Sequence, residues 1–305
     1  MDDGETTQAE LDAAIAVVPV LKGFAGTPER MGGLTNKVFR LGEFCLRIPG
    51  AGTEEYIDRA NEAVAAREAA RAGVSPAVIH ADAETGIMVT AFIDGAVTMT
   101  PREFRDRDGS PARAGEAFRK LHVSGAVFPF RFELFAMIDD YLKVLSTKDV
   151  ALPDGYHDVV REAETVRAAL AAHPVALAPC HCDPLCENFL DTGERMWIVD
   201  WEYSGMNDPM WDLGDLSVEG EFGDAQDEEM LRAYFGGEAS PADRGRMVIY
   251  KAMCDLLWTL WGLIQLANGN PADDFRAYAD GRFARCKALM ATPEFADHLR
   301  AVEKG

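Results

Sequence analysis

The sequence predicts an α+β chain of two lobes, a small β-rich N-terminal lobe followed by a larger, mainly helical C-terminal one. Three observations predict it. Strand-like runs crowd the first third of the 305 residues, and helical periodicity fills most of the rest. A break at Asp94-Gly95 separates the two patterns and reads as a hinge. One short hairpin then interrupts the helical part.

The elements follow in order. Residues 37–41 and 44–48 form a hairpin around Gly42-Glu43. In its second strand Phe44, Leu46 and Ile48 alternate with Cys45 and Arg47, so Arg47 points to the face opposite the apolar three. Just upstream, Gly32-Gly33-Leu34-Thr35-Asn36 is a polar, glycine-rich loop entering the first strand. Residues 53–72 read as a helix capped by Thr53, with Glu54 and Glu55 near its positive end, Glu62 in its middle, and Gly73 with Pro76 ending it. Residues 78–80 and 87–93 read as further strands. Helices are expected at about 112–123, 131–145 and 154–172. The interrupting hairpin pairs 188–190 with 196–199 across Asp191-Thr192-Gly193-Glu194. From about 210 the chain is helical again, including 241–268 and 271–290, without repeats or low-complexity tracts.

Bulk properties narrow the function. Hydrophobic residues make up 48% and charged residues 27%, an ordinary globular balance. A net charge of -21 repels phosphate backbones and anionic headgroups, which argues against nucleic acid as partner. The first ten residues are acidic and unlike a signal peptide. The apolar stretch 247–267 carries Lys251, Asp255 and Gln265, so it reads as a buried helix and not a membrane span. Six scattered cysteines do not make a disulfide framework, and a reducing, cytoplasmic compartment is expected. Cys180, His181, Cys182 and Cys186 cluster, so a metal site is an alternative, although no second pair stands at finger-like spacing.

Asp183, Asn188 and Asp200 form the sharpest constellation. Asp183 and Asn188 stand at the two ends of a short loop, and the hairpin after them delivers Asp200. Phosphoryl transfer needs a carboxylate to orient a hydroxyl and take its proton, and hard oxygen ligands for Mg²⁺. These residues supply both; equally, Asp and Asn at such positions cap turns.

The segment His181-x-Asp183-x4-Asn188, followed by Val199-Asp200-Trp201-Glu202-Tyr203-Ser204, resembles the choline/ethanolamine kinase family within the aminoglycoside phosphotransferase-like kinases. Gly32–Asn36 resembles its phosphate loop, Leu46-Arg47-Ile48-Pro49-Gly50 its phosphate-contacting strand, and Asn61-Glu62 its acidic helix. Asp208-Pro209-Met210-Trp211-Asp212-Leu213-Gly214 resembles the segment after the metal-binding Asp. Residues 257–265 and 278–283 resemble its substrate helices. The matches occur in order over residues 32–285.

The resemblance implies a two-lobed protein-kinase-like fold, with residues 1–94 binding nucleotide and 95–305 holding the catalytic and acceptor sites. It implies ATP and Mg²⁺ as cofactors, Asp183 as catalytic base, and Asn188 and Asp200 as metal ligands. Gly33, Thr35, Asn36, Arg47, Glu62, Phe92 and Ile93 would serve ATP: Arg47 neutralising phosphates, Glu62 fixing Arg47, and the backbone of 90–93 pairing with adenine. Many kinases use Lys where Arg47 stands; the choline-kinase branch uses Arg.

For the acceptor, Asp255, Trp258, Trp261 and Gln265 share one helical stripe. Two indole faces attract a quaternary ammonium, by about 2 kcal/mol each when desolvated; Trp in an apolar helix also packs cores. The resemblance places Trp258 and Trp261 around trimethylammonium, with Tyr278 as a third wall and Glu202, Tyr203 and Glu219 adding negative potential. Leu185, Cys186 and Glu187 depart from the family pattern and bear on the shape of the acceptor site. The expected partner is a small cationic amino alcohol, choline first, with ethanolamine or an aminoglycoside as alternatives. Membrane insertion is not expected, and a homodimer is compatible with the sequence. A nucleotide-binding pseudokinase is the reading from another class, and retention of Asp183, Asn188 and Asp200 argues against it.

Overall fold

The computed structural model describes residues 3–32, 36–50 and 57–305. Helix α1 (Asp3–Val17) is followed by strands β1 (Glu29–Gly32), β2 (Lys37–Leu41) and β3 (Phe44–Ile48), then helix α2 (Arg59–Arg71) and strands β4 (Val78–Ala81) and β5 (Met88–Ala91). The five strands form one antiparallel sheet in the order β1-β2-β3-β5-β4. The β2–β3 hairpin has the expected register, with Lys37 opposite Ile48, Phe39 opposite Leu46 and Leu41 opposite Phe44.

Both faces of this sheet are covered. Leu11, Ala14 and Val18 lie one helical turn apart and bury Phe39, Leu41, Leu46 and Val89 on one side. Arg47 faces the other side, toward α2, where it is buried. Helix α2 starts later than the expected residue 53. Asp58 is its cap, accepting from the amides of Ala60 and Asn61; Thr53, Glu54 and Glu55 lie outside the described residues. Its buried face is Ala63, Ala65, Ala66 and Ala69, small enough for close packing. Gly73, left-handed at φ 70°, terminates it as expected.

The rest of the chain gathers around one long helix. Strand β6 (Val97–Thr98) and helices α3 (Pro101–Asp106), α4 (Ser110–His122), α5 (Leu134–Leu145) and α6 (Tyr156–Ala172) lead to strand β7 (Ala178–Cys180). Strands β8 (Phe189–Asp191) and β9 (Met196–Ile198) form the interrupting hairpin, and β6 pairs with β8. Strand β10 (Gly205–Asn207) pairs with β7. Then come α7 (Met210–Glu219), α8 (Asp224–Phe235), α9 (Pro241–Ala267), α10 (Phe275–Met290) and α11 (Pro293–Lys304).

Ser240 caps α9 by accepting from the Asp243 amide, and Pro241 opens it. Its residues from Met247 to Leu260 are nearly all buried, because α7, α10, α11 and α5 surround it. By length and composition it could cross a membrane, but 78% of its most apolar window is buried inside the protein. Two glycines set its neighbours' distance. A Cβ on Gly214 would come within 2.7 Å of the Met247 carbonyl, and one on Gly262 within 2.6 Å of the Tyr278 ring. Tyr278 therefore packs closely against α9, edge-on to Trp261.

Candidate active site

The chain enters the site from β7. His181 to Asn188 forms a loop between β7 and β8, and Asp200 follows β9. Cys182 adopts a left-handed backbone, φ 68°, which costs a non-glycine residue stability. Asp212, fully buried at the start of α7, holds that turn. It accepts from the amides of His181 (2.7 Å) and Cys182 (2.8 Å), and from His122 Nε2 (3.0 Å). The Trp211 indole donates to the Cys182 carbonyl at 3.0 Å. His181 Nε2 donates to the Val199 carbonyl at 2.9 Å, which ties the loop to the segment carrying Asp200.

Beyond Asp183 the loop tightens into a single 3-10 turn, Cys186–Asn188. Asn188 Nδ2 donates to the Asp183 carbonyl at 3.1 Å, so its amide oxygen turns the other way. The Val199 amide donates to the Asn188 carbonyl at 2.9 Å. The hairpin thereby brings Asp183, Asn188 and Asp200 to one place, as the sequence pattern suggested. Of the departing residues, Cys186 is buried under the turn and Glu187 points to solvent, so the bulk of Glu187 is accommodated outside the site.

On one side lies a cluster of charges. Arg47 is paired with Glu62, and its Nη1 lies 3.2 Å from Glu202 and 3.5 Å from Asp200; Nη2 donates to the Gly86 carbonyl at 3.1 Å. Arg59 bridges Glu62 (2.9 Å) and Glu202 (2.5 Å). Asn36 Nδ2 donates to Glu202 at 3.1 Å, and Asn36 Oδ1 accepts from the Gly50 amide. Burial works against the Arg47 charge, but Glu62, Asp200 and Glu202 more than offset it and raise its pKa. Glu202 therefore belongs to this side. This corrects its assignment to the acceptor: two residues past Asp200 it turns toward Arg47 and Arg59, while Tyr203 faces the other way. Gly33 and Thr35 lie outside the described residues.

Glu62, Asp200 and Glu202 present carboxylate oxygens within 4.8 Å of one another. Glu62 and Glu202 are held by the two arginines, at 1% and 8% side-chain exposure, whereas Asp200 keeps 33%. Asp200 is thus the member that faces the cleft, and it does so from a left-handed backbone, φ 67°. With the Asn188 amide it offers hard oxygen donors that fit Mg²⁺. Burial and the neighbouring Glu202 push the Asp200 carboxyl well above its ordinary range, as expected of a carboxylate that awaits a cation.

At the expected adenine end, the Phe92 amide donates to the Glu43 carbonyl at 2.8 Å and the Ala91 amide to the Ala77 carbonyl at 2.9 Å. These two amides are taken within the sheet, so pairing with a base would fall to the Phe92 carbonyl and to Ile93; the Phe92 ring lies under the Arg40 guanidinium at 3.9 Å. Ile93 follows at the junction between the lobes.

The aromatic residues gather on the other side. Tyr203 packs edge-on to Trp258 at 5.7 Å, Trp258 to Trp261 at 6.5 Å, and Trp261 to Tyr278 at 5.8 Å. The Trp261 indole donates to the Tyr203 hydroxyl at 3.3 Å. Tyr278 is altered as a wall, because the Arg282 guanidinium already covers its ring at 4.6 Å. The stripe divides: Asp255 is drawn away by Arg282 (3.2 Å) and Arg285 (2.7 Å), and Gln265 accepts from Asn270. Glu219 is paired with Arg282. Burial, then the Glu219 charge, push the Asp183 carboxyl up to about 7.

The cysteines behave as core residues. Cys180 Sγ faces the Asn207 carbonyl, and Cys182 Sγ faces the carbonyls of Cys180 and Gly205. Burial pushes both thiols well up, away from the thiolate a metal requires. Among the described residues Cys180, His181, Cys182 and Cys186 do not converge as ligands. The sequence reading gave no role to Arg59, His122, Asp215 or Arg282 and none to Asp212 within its matched segment. Arg59 stood one turn before Glu62, a spacing that signals an ion pair; the others carry no local signal.

Comparison with known proteins agrees with this geometry. The profile of the phosphotransferase enzyme family (APH) matches residues 29–250. A choline/ethanolamine kinase family protein from Mesorhizobium loti shares 76% identity, with a TM-score of 0.92 over 98% of this chain and 99% of that one. The choline kinase LicA from Streptococcus pneumoniae shares 26% identity, with a TM-score of 0.77 over 94% of this chain and 99% of that one. A LicA structure in complex with AMP shares 27% identity, with a TM-score of 0.71 over 87% of this chain and 91% of that one.

Proposed function

The chain belongs to the phosphotransferase enzyme family, in its choline/ethanolamine kinase branch, and on that premise we propose that it transfers the γ-phosphoryl group of MgATP to the hydroxyl of choline, giving phosphocholine. The observation that carries the choice of acceptor is the group Tyr203, Trp258 and Trp261, backed by Tyr278 with Arg282 on its ring, which lies on the Asp183 side of the catalytic loop. Aromatic faces bind a cation that has no N–H to donate. The surrounding carboxylates, Asp183, Asp215 and Glu219, add a field that favours positive charge.

In this reading Asp183 is the base. It accepts the proton of the acceptor hydroxyl as that oxygen attacks the γ-phosphorus, and ADP leaves in line. A pKa near 7 suits a group that must be ionised yet take a proton. Asn188 and Asp200 would hold Mg²⁺, which would supply positive charge against the phosphates. Arg47, kept in place by Glu62 and joined by Arg59, positions the phosphates, with Asn36 at the same end; Gly33 and Thr35 are assigned to the phosphates from the sequence alone. Ile93 would serve the adenine at the junction of a nucleotide lobe, 1–94, and an acceptor lobe, 95–305. The LicA structure with AMP supports the nucleotide assignment.

The test is an ADP-release assay across choline, ethanolamine, thiamine and aminoglycosides. Choline is expected to give the highest kcat/KM. A protein that phosphorylates an aminoglycoside or ethanolamine and leaves choline untouched would overturn the acceptor assignment.

A further inference from the structure

The carboxylates on the acceptor side outnumber the cations that face them. Glu219 is paired with Arg282, and Asp255 is shared by Arg282 and Arg285. Two guanidiniums thus neutralise two carboxylates. Asp183 and Asp215 remain. Asp183 has its chemical task. Asp215 is 1% exposed, forms no ion pair among the described residues, and has one oxygen, Oδ1, with no hydrogen-bond partner. Its other oxygen accepts from the Trp258 indole at 3.3 Å, so the carboxylate is fixed against one wall of the aromatic group.

The nearest positive charge, Arg282, is already paired with Glu219 and Asp255, and a buried carboxylate with an unpartnered oxygen and no ion pair of its own costs several kcal/mol unless it takes up a proton or a further cation. Solvent does not reach Oδ1, and no donor among the described residues does. We infer that Asp215 is the specificity-determining residue that senses the acceptor's positive charge, its free oxygen forming the countercharge to the ammonium group held by Trp258 and Trp261. This rests on the amino-alcohol kinase reading above and extends it: the aromatic faces select shape and hydrophobicity, and Asp215 selects charge. Burial and the charges of Glu219 and Asp183 push its carboxyl well up when no cation is bound, so a cationic acceptor and a proton are alternative occupants of the same place.

The experiment compares choline with its uncharged isostere 3,3-dimethylbutan-1-ol, in the full-length wild type and in Asp215→Asn. Asn keeps the shape and can still accept from the Trp258 indole. The ratio of the two kcat/KM values, choline over isostere, is expected to fall by about 30-fold or more in the variant, as for loss of one partner of a buried charge pair. The change should appear in the choline KM and in the choline Kd measured by calorimetry. Asp215→Glu, which restores the charge, should recover part of the ratio if it folds. An unchanged ratio, or equal losses on both alcohols, would overturn the inference, since a packing role weakens both alike. If the wild type uses ethanolamine and not choline, the choline reading fails separately; the ratio of ethanolamine to 1-propanol then tests Asp215 in the same way.

Discussion

Removing the side chain of Asp212 should uncouple the catalytic loop from its support while leaving the nucleotide side intact. Asp212 is fully buried and touches no expected substrate. It accepts from His181 N, Cys182 N and His122 Nε2 at 2.7, 2.8 and 3.0 Å, and His122 in turn meets the Tyr234 hydroxyl at 3.0 Å. In Asp212→Ala three buried donors lose their acceptor, each worth about 1–3 kcal/mol and not fully additive; the total should be about 3–5 kcal/mol. At roughly 2–4 °C per kcal/mol for a chain of this class, Tm should fall by about 6–20 °C. The left-handed turn at Cys182 then loses the bonds that hold it against its preference, and Asp183 is the next residue. A displacement of about 1 Å at the base corresponds to about 100-fold in kcat. The ATP KM should change little, because Arg47, Arg59, Glu62 and Glu202 form a separate cluster. Calorimetric unfolding with an ADP-release assay reads all three quantities. A variant with wild-type Tm and kcat would refute the idea that Asp212 props the loop.

Other perturbations address the individual groups. Asp183→Asn should lower kcat by at least ~100-fold with ATP binding preserved, as for loss of a positioned base; a near-normal rate would remove it from that role. Asp200→Ala should abolish Mg²⁺-dependent turnover, and retained activity at ordinary Mg²⁺ would refute its assignment as a ligand. Trp258→Ala and Trp261→Ala should raise KM for choline more than for ethanolamine, by about 5–30-fold if each ring contributes about 1–2 kcal/mol; equal effects would argue against a cage for a quaternary cation. For pH, the ionised form of Asp183 is the active one, and its carboxyl is pushed up to about 7. Acceptor kcat/KM should therefore rise about tenfold per unit below that value and level off above it. The kcat limb should lie at lower pH, since bound cations favour the carboxylate. A flat profile from pH 5 to 8 would exclude Asp183 as the titrating base.

The long elements were legible because periodicity repeats within them. The hairpin at residues 37–48 appears with its register, and α4, α5, α6, α9 and α10 each appear within a few residues of their bounds. The strands that aim the catalytic loop, β6, β7 and β10, have only two or three residues each, too few to show a period. The start of α2 was misplaced because Thr53 is as good a cap by type as Asp58; only the amides of Ala60 and Asn61 decide. In the site, the groups on one loop and one hairpin were found together. Glu202 was put on the wrong side, since sequence order cannot say which way a residue turns after a left-handed Asp200. Asp255 illustrates the same limit: its stripe with the tryptophans is real, but Arg282 and Arg285 arrive from α10 and take its charge.

These tertiary pairings explain why the site has two separate faces. On the nucleotide face Arg47 and Arg59 stand against Glu62, Asp200 and Glu202, one positive charge short. Arg47 faces the three carboxylates with Nη1 and donates to the Gly86 carbonyl with Nη2, two positions that the single nitrogen of a lysine could not occupy together. That leaves Asp200 as the carboxylate without a close partner of its own, which is where a divalent cation is most strongly favoured. The acceptor face is also short of positive charge, at Asp183 and Asp215. On the proposed function each substrate would bring a cation to a place where the fold has left a carboxylate uncompensated: Mg²⁺ with the nucleotide, the ammonium with the alcohol. Asp183 interacts electrostatically with both Asp200 and Asp215, so both cations would lower the cost of its ionised form. The base is then most fully charged when both substrates are in place, so binding and readiness for proton transfer are linked through the same shortage of positive charge.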